Sequence, residues 1–206
     1  MRALELGAVG IELDVHATSD GVVVVHHDPV VHGNNTDGAT TTAPIGELSQ
    51  KDLAKFPLTN GARIPTLIAV LDSLGDRVKV YVEIKATDIE PLVVRCIRES
   101  RADCAVHSFD HRIVRNVKKI FPAIRTGVLE VARHIDPVAS LAATGAEDLW
   151  QHVDYIDRDL VNRAHAVGAR VIAWTANDPA QWELLTRLGV DGICTDNIGE
   201  LAAAER

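Results

Sequence analysis

Short runs of β-branched residues alternate with amphipathic stretches along most of the chain. Runs such as Val78–Val82 lack strict polar alternation, which is typical of strands that are covered on both faces. Repeated strand–helix units of this kind favour a parallel α/β fold, either a closed barrel or an open sheet. The predicted strands are Val9–Val15, Val22–His26, Val78–Ile84, Cys104–His107, Arg125–Leu129, Val153–Ile156, Arg170–Trp174 and Val190–Thr195. The predicted helices are Gln50–Phe56, Thr66–Leu74, Pro91–Ser100, Arg112–Ile120, Pro137–Ala143, Arg158–Ala166 and Pro179–Leu188.

The composition indicates one unit rather than two domains. The chain has 206 residues, of which 47% are hydrophobic and 24% are charged, enough to bury one large core. No Pro/Gly/Ser-rich linker or block of charge divides it, so we expect residues 1–206 to form a single domain. The segment 34–38 has the composition of a turn.

Charge and motif content exclude several functional classes. The net charge of -8 would repel a polyanion, so nucleic acid is not an expected partner. The sequence contains no G-x-S-x-G, P-loop, G-x-G-x-x-G or paired C-x-x-C, which argues against serine hydrolases, nucleotide hydrolases, dinucleotide enzymes and zinc ribbons. Cys96, Cys104 and Cys194 are widely spaced and are predicted to be buried, reduced thiols. The sequence also shows neither a signal peptide nor an apolar run long enough to span a bilayer. Together with the reduced thiols, this predicts a cytoplasmic location.

Two carboxylates lie in the first predicted strand, in the segment IELDV. Residues i and i+2 of a strand point to the same face, so Glu12 and Asp14 converge on one spot. Two such anions repel each other and lose solvation unless a cation lies between them. A divalent cation that prefers oxygen ligands, Mg²⁺ or Ca²⁺, would meet this need. The alternative is an exposed strand end.

Two histidines and an aspartate end the second predicted strand. His26, His27 and Asp28 follow four valines and precede a proline. Because neighbouring strand residues face opposite sides, only one of the two histidines can face inward. A histidine titrates near neutral pH and can transfer a proton; the alternative is a surface histidine that stabilises a loop. Apart from His107, the remaining histidines lack the spacing of metal ligands and are predicted to lie in loops or on helix surfaces. They are His16, His32, His111, His134, His152 and His165.

A second i, i+2 pair of charged residues ends the strand YVEIK. Glu83 could complete a three-carboxylate metal site with Glu12 and Asp14, and Lys85 could bind a phosphate oxygen. An ordinary ion pair between Glu83 and Lys85 is the alternative. After a later strand, Trp174 could form an apolar wall for the substrate or belong to the core.

Taken together, these segments resemble the glycerophosphodiester phosphodiesterase family. The similar segments are GAVGIELDVHATSDGVVVVHHDP at 7–29, RIPTL at 63–67, VYVEIK at 80–85, HSFD at 107–110, AWTAND at 173–178 and LGVDGICTD at 188–196. The resemblance implies a TIM-type (β/α)₈ barrel that hydrolyses glycerophosphodiesters to sn-glycerol 3-phosphate and an alcohol, with one divalent cation. By position, Glu12, Asp14 and Glu83 match the family's metal-binding carboxylates. His27 matches one of its two catalytic histidines, and Lys85 matches the lysine near the phosphate.

The chain departs from the family pattern at its start. The family begins with a strand ending in His-Arg-Gly and then a first helix, whereas MRALEL matches only the end of that helix. We therefore expect the first strand, most of the first helix and one catalytic histidine to be missing. Such a loss would expose sheet edges and invite pairing into a homo-oligomer. The alternative functions are a non-catalytic or impaired barrel that binds phosphate or metal, and a fragment without a function of its own.

Overall fold

The computed structural model describes residues 2–34, 40–58 and 61–204. The predicted turn at 34–38 lies outside the described residues except for its first position. The fold is α/β, as predicted, and is built on one curled eight-stranded sheet.

The sheet has the strand order β10-β9-β8-β7-β6-β5-β1-β2. Its strands are β1 (Gly10–Ala17), β2 (Val23–Val25), β5 (Lys79–Ile84), β6 (Asp103–Ser108), β7 (Arg125–Glu130), β8 (Asp148–His152), β9 (Arg170–Trp174) and β10 (Gly192–Ile193). All neighbours are parallel except β1 and β2, which form an antiparallel pair. A separate antiparallel hairpin consists of β3 (Val30–Asn34) and β4 (Thr40–Pro44). The parallel order places the carboxyl ends of seven strands on one rim.

Most of the described helices connect successive strands of the sheet. The described helices are α1 (Arg2–Glu5), α2 (Gln50–Leu53), α3 (Leu67–Leu74), α4 (Glu90–Glu99), α5 (His111–Ile120), α6 (Ala139–Thr144), α7 (Arg158–Ala166), α8 (Pro179–Leu188) and α9 (Ile198–Ala204). Several begin and end at the residues that their sequence predicts. Asp178 caps the start of α8 just before Pro179, and Gly189 ends it in the left-handed conformation at φ 88°. Among the described helices, none is long and apolar enough to cross a membrane.

One predicted strand is wrong. Residues 153–155 form a 3₁₀ turn, and the strand lies just before it, as β8. The sequence does not predict β8 because it contains polar residues, and the residues that pair with them lie far away along the chain. Asp148 is held by Arg125 and Arg170, and the Gln151 amide donates to the carbonyl oxygen of Glu130 at 3.2 Å. The hairpin β3–β4 was not predicted, and β10 is only two residues long.

Alternate residues of each central strand pack on opposite sides of the sheet. Val80, Val82 and Ile84 of β5 are almost fully buried against the helices. The opposite face of the sheet carries a smaller apolar cluster in which Leu129, Trp150 and Ile172 pack around Tyr81. This cluster fills the inside of the curl beneath the rim. We expect the helical face to supply most of the apolar burial that stabilises the fold.

The amino-terminal end of the curl is closed by a buried carboxylate between two arginines. Asp148, 1% exposed, accepts hydrogen bonds from Arg170 Nε at 2.9 Å and from Arg125 Nε at 2.8 Å. Arg170 also donates to the Tyr81 hydroxyl at 3.3 Å. Three strands are thereby joined at their first residues by one fully paired charge.

We expect Asp148→Ala to lower the free energy of unfolding by about 3 kcal/mol, because it leaves two arginines facing each other without their counter-ion. Urea unfolding followed by far-ultraviolet circular dichroism measures the change. Asp103→Ala is the matched control: Asp103 pairs with Lys79 at 2.6 Å but its side chain is 63% exposed, so the loss should stay below about 1 kcal/mol. Equal losses in the two variants would contradict this account of Asp148.

Candidate active site

Three neighbouring strands bring polar side chains together inside the curl. Asp14 of β1 pairs in register with Glu83 of β5, and Glu83 pairs with His107 of β6. Paired residues of adjacent strands point to the same face, so these three side chains lie side by side near the carboxyl-end rim. Glu12 lies two residues before Asp14 on the same face of β1.

Glu12, Glu83 and His107 form a group that could hold a metal ion. Each offers one ligand atom, and these atoms lie within 4.8 Å of one another. The chemistry of the group fits a cation: Glu12 Oε1 is buried without a hydrogen-bond partner among the described residues, and His107 Nδ1 is in the same condition. A bound cation would compensate for such buried acceptors. Of the predicted carboxylates Glu12, Asp14 and Glu83, the structure groups the first and the last with His107, and it pairs Asp14 with Lys85 instead.

Asp14 and Glu83 share a cation that the chain itself supplies. Lys85 Nζ lies 2.7 Å from Glu83 Oε1 and 3.1 Å from Asp14 Oδ1. Burial alone would lower the pKa of the Lys85 ammonium, but the Glu83 and Asp14 carboxylates outweigh it and raise that pKa above its usual value. Burial raises the pKa of Glu83. Lys85 is therefore protonated at neutral pH and lies directly beside the group of possible metal ligands.

His27 lies on an exposed loop that is joined to the end of β1. The backbone N–H of His26 donates to the carbonyl oxygen of Asp14 at 3.0 Å. His27 itself is 73% exposed in its side chain, and its Nδ1 lies 2.8 Å from Asp28 Oδ1. Nε2 has no hydrogen-bond partner within the described part of the chain. The pKa of the Asp28 carboxyl is lowered, mainly by its hydrogen bond with His27.

Two expectations about the histidines near this loop need correction. β2 ends at Val25, so strand alternation does not apply to His26, whose Nδ1 bonds the carbonyl oxygen of Asp28 at 2.9 Å. His16 is not a surface residue: it is 6% exposed on β1, and its Nε2 lies 3.2 Å from the carbonyl oxygen of His27. Its place two residues after Asp14 was a signal for an inward position. Burial lowers the pKa of His16.

Aromatic side chains border the site on the side of β6, β8 and β9. The Phe109 ring lies 5.7 Å from Lys85 Nζ and meets Trp174 edge-on at 5.3 Å between centroids. Trp174 Nε1 donates to the carbonyl oxygen of Trp150 at 3.0 Å, which fixes its indole. Trp174 therefore connects with the rest of the site through Phe109, which the sequence did not single out.

Cys194 is a free thiol near the carboxylates. Burial, with a further contribution from the negative charge of Glu12, raises its pKa to about 12. It is thus protonated at neutral pH and unsuited to act as a nucleophile.

Comparisons with known proteins identify the family of the chain. Residues 1–200 match the Glycerophosphoryl diester phosphodiesterase family. The chain belongs to this family of phosphoric diester hydrolases. A relative from Caldanaerobacter subterraneus, named glycerophosphodiester phosphodiesterase, is 33% identical over 210 residues, which cover 95% of this chain and 85% of that protein.

Solved structures extend the agreement to the fold. A glycerophosphodiester phosphodiesterase from Parabacteroides distasonis has a TM-score of 0.82 at 25% identity, over 99% of this chain and 87% of that one. A phosphodiesterase from Oleispira antarctica, solved in complex with the product sn-glycerol-3-phosphate, has a TM-score of 0.86 at 21% identity, over 98% of this chain and 86% of that one. These TIM-barrel neighbours confirm the predicted fold class.

We expect Lys85→Met to lower the free energy of unfolding by about 2–3 kcal/mol, because Asp14 and Glu83 are left as neighbouring buried anions. Glu83→Gln combined with Lys85→Met removes one of these anions and should recover most of the loss. Thermal unfolding in the presence of a chelator measures both variants. If Lys85→Met alone were as stable as the parent protein, the ion-pair account would be contradicted.

Proposed function

We propose that this protein hydrolyses glycerophosphodiesters to sn-glycerol 3-phosphate and an alcohol, with a divalent cation, in the breakdown of glycerophospholipids. The observation that carries the proposal is the placement of Lys85 beside Glu12, Glu83 and His107 in a member of this hydrolase family. The neighbour that was solved with sn-glycerol-3-phosphate supports the identity of the product.

Lys85 is the group proposed to bind the phosphate. Its ammonium is protonated at neutral pH, and its side chain is 20% exposed, so one side of the charge faces the rim. A phosphodiester oxygen placed there would share the lysine with Asp14 and Glu83. The interaction neutralises charge on the phosphoryl group, which hydrolysis requires.

His27 is proposed to move protons. Asp28 holds Nδ1, so Nε2 is the atom left to give a proton to the leaving alkoxide or to take one from water. The hydrogen bond to Asp28 fixes the ring orientation and favours the Nδ1–H tautomer. Its exposed loop gives the ring room to meet a substrate bound at the rim.

Trp174 and Phe109 are proposed to form the apolar wall of the substrate site. Phe109 contacts Lys85 on one side and Trp174 edge-on on the other. Phe109 is 43% exposed, so its ring is available to pack against the glycerol or the alcohol group of the substrate. This wall would exclude water from one side of the phosphate.

We propose Glu12, Asp14 and Glu83 as the carboxylates that hold the cation, with Asp14 turning from Lys85 toward it. When bound, the cation supplies charge stabilisation to the phosphoryl oxygens and a more acidic water. Carboxylates alone accept both Mg²⁺ and Ca²⁺.

The remaining parts of the proposal concern the whole chain. Residues 1–206 act as one domain on a small-molecule substrate, and the free thiols Cys96, Cys104 and Cys194 support a reducing, cytoplasmic location. β2 and β10 are the end strands of the eight-stranded sheet, so a homo-oligomer could form at these edges.

We expect purified protein to release glycerol 3-phosphate from glycerophosphocholine, and His27→Ala to lower kcat by about 10²–10⁴-fold because proton transfer is lost. A coupled assay for glycerol 3-phosphate measures the rate. His32→Ala, an exposed histidine that bonds Thr42 on the β3–β4 hairpin, is the control and should keep the parent rate. Binding of glycerol 3-phosphate by calorimetry without any turnover would instead favour a non-catalytic phosphate-binding role.

Removal of divalent cations should abolish this activity reversibly. We expect dialysis against a chelator to lower kcat by at least about 10²-fold, as the charge stabilisation of the phosphoryl group is lost. Separate additions of Mg²⁺ and Ca²⁺ then test which ion restores the rate. Full activity in a preparation shown by elemental analysis to be free of metal would refute the cation requirement.

A further inference from the structure

We infer that His107 is itself a ligand of the cation, so that the site accepts nitrogen as well as oxygen donors and binds Mn²⁺ in preference to Ca²⁺. The inference deepens the proposed function and rests on it, because it concerns the cation that this function requires.

The position of His107 carries the first step. Its side chain is 1% exposed, on the same inward face as Glu83, its register partner on β5. His107 Nε2 lies 3.5 Å from Glu12 Oε1, and both residues share the group of three with Glu83. An atom placed between them would be reached by the imidazole and both carboxylates.

The second step is that the hydrogen bonds of this histidine are not satisfied. A buried histidine with a purely structural role usually uses its ring nitrogens in hydrogen bonds. His107 Nδ1 has no partner among the described residues, and the acceptor opposite Nε2, Glu12 Oε1, has no hydrogen bond either. These two atoms belong to residues of the same group of possible ligands; Trp150 Nε1, on the ring stacked against His107, also lacks a partner among the described residues.

The third step is the rigidity of the ring. His107 stacks on Trp150 with 4.3 Å between centroids and 17° between planes. Trp150 is 3% exposed and lies so close to Gly127 that a Cβ there would be 2.8 Å from its Cδ1. The imidazole is therefore held in plane by packed neighbours, which keeps its Nε2 directed toward Glu12.

Asp14 supplies a contrast within the same site. Its carboxylate is 3.1 Å from Lys85 Nζ, and it is not part of the group of three. To become a ligand it must leave the lysine, whereas His107 has no competing partner of this kind. The arrangement assigns His107 as a donor beside Glu12 and Glu83, and Asp14 completes the set when it turns from Lys85.

A nitrogen donor changes which cation is preferred. Ca²⁺ takes six to eight oxygen ligands, and imidazole favours first-row transition ions over it. Mn²⁺ accepts both donor types, and its unpaired electrons report directly on a bound nitrogen. It is also a safer probe than Zn²⁺ or Cu²⁺, which bind sulfur ligands strongly and would compete for a free cysteine such as Cys194.

The test measures Mn²⁺ and Ca²⁺ binding by calorimetry in the full chain, and records pulsed electron paramagnetic resonance of the Mn²⁺ complex. We expect Mn²⁺ to bind at least about tenfold more tightly than Ca²⁺, with ¹⁴N coupling from a directly bound imidazole. His107→Gln should remove the coupling and weaken Mn²⁺ binding by about 10–100-fold, while changing Ca²⁺ binding by less than about threefold. His134→Gln is the control, because His134 also contacts a buried carboxylate, that of Glu130 at 2.7 Å, in a different loop.

A Mn²⁺ complex without ¹⁴N coupling in the parent protein would overturn the inference, and so would failure to bind Mn²⁺. Coupling that survives His107→Gln would also overturn it. If His107→Gln does not fold, absence of ¹⁴N coupling in the parent protein still overturns the inference. Glycerophosphocholine hydrolysis with Mg²⁺, measured in parallel, separates the two claims: turnover without nitrogen coupling removes only this inference, and coupling without turnover removes only the proposed function.

Discussion

The repulsion between carboxylates on β1 and β5 is the constraint to which the rest of the site responds. Asp14 and Glu83 are register partners on adjacent strands, so the sheet holds the bases of their side chains close together. Lys85, two residues after Glu83, places its ammonium between them. The same strand geometry that forces the anions together thus supplies one cation, but only on the rim side. Glu12, deeper on β1, has no lysine and is left facing His107.

Buried polar groups are paired at one end of the curled sheet and unpaired at the other. At the amino-terminal end, Asp148 is paired with Arg125 and Arg170 in hydrogen bonds of 2.8 and 2.9 Å. Near the carboxyl-end rim, the acceptors on Glu12 and His107 have no hydrogen-bond partner among the described residues. Fully paired charge stabilises a fold, whereas unsatisfied buried groups cost stability and are retained where they bind something. The separation of the two ends therefore divides stability from function along the strands.

Period-two alternation predicted much of this arrangement from the sequence, and its failures have physical causes. The pairs Glu12–Asp14 and Glu83–Lys85 each depend only on strand geometry, so one strand suffices to predict a shared face. The register between strands depends on the whole sheet, and the sequence could not show that His107 lies beside Glu83. β8 was missed for the same reason, because the partners that make Asp148 a strand residue lie on β7 and β9.

Burial decides what each histidine of the site is suited to do. His27 is 73% exposed and has Nδ1 fixed by Asp28, so its free Nε2 can exchange protons with water or substrate at the rim. His107 is 1% exposed and stacked on Trp150, so it is shielded from solvent and cannot turn to follow a moving proton. A histidine held in this way is suited to donate a lone pair to a fixed point. Proton transfer and ligation are therefore proposed for two different histidines, the exposed His27 and the buried His107.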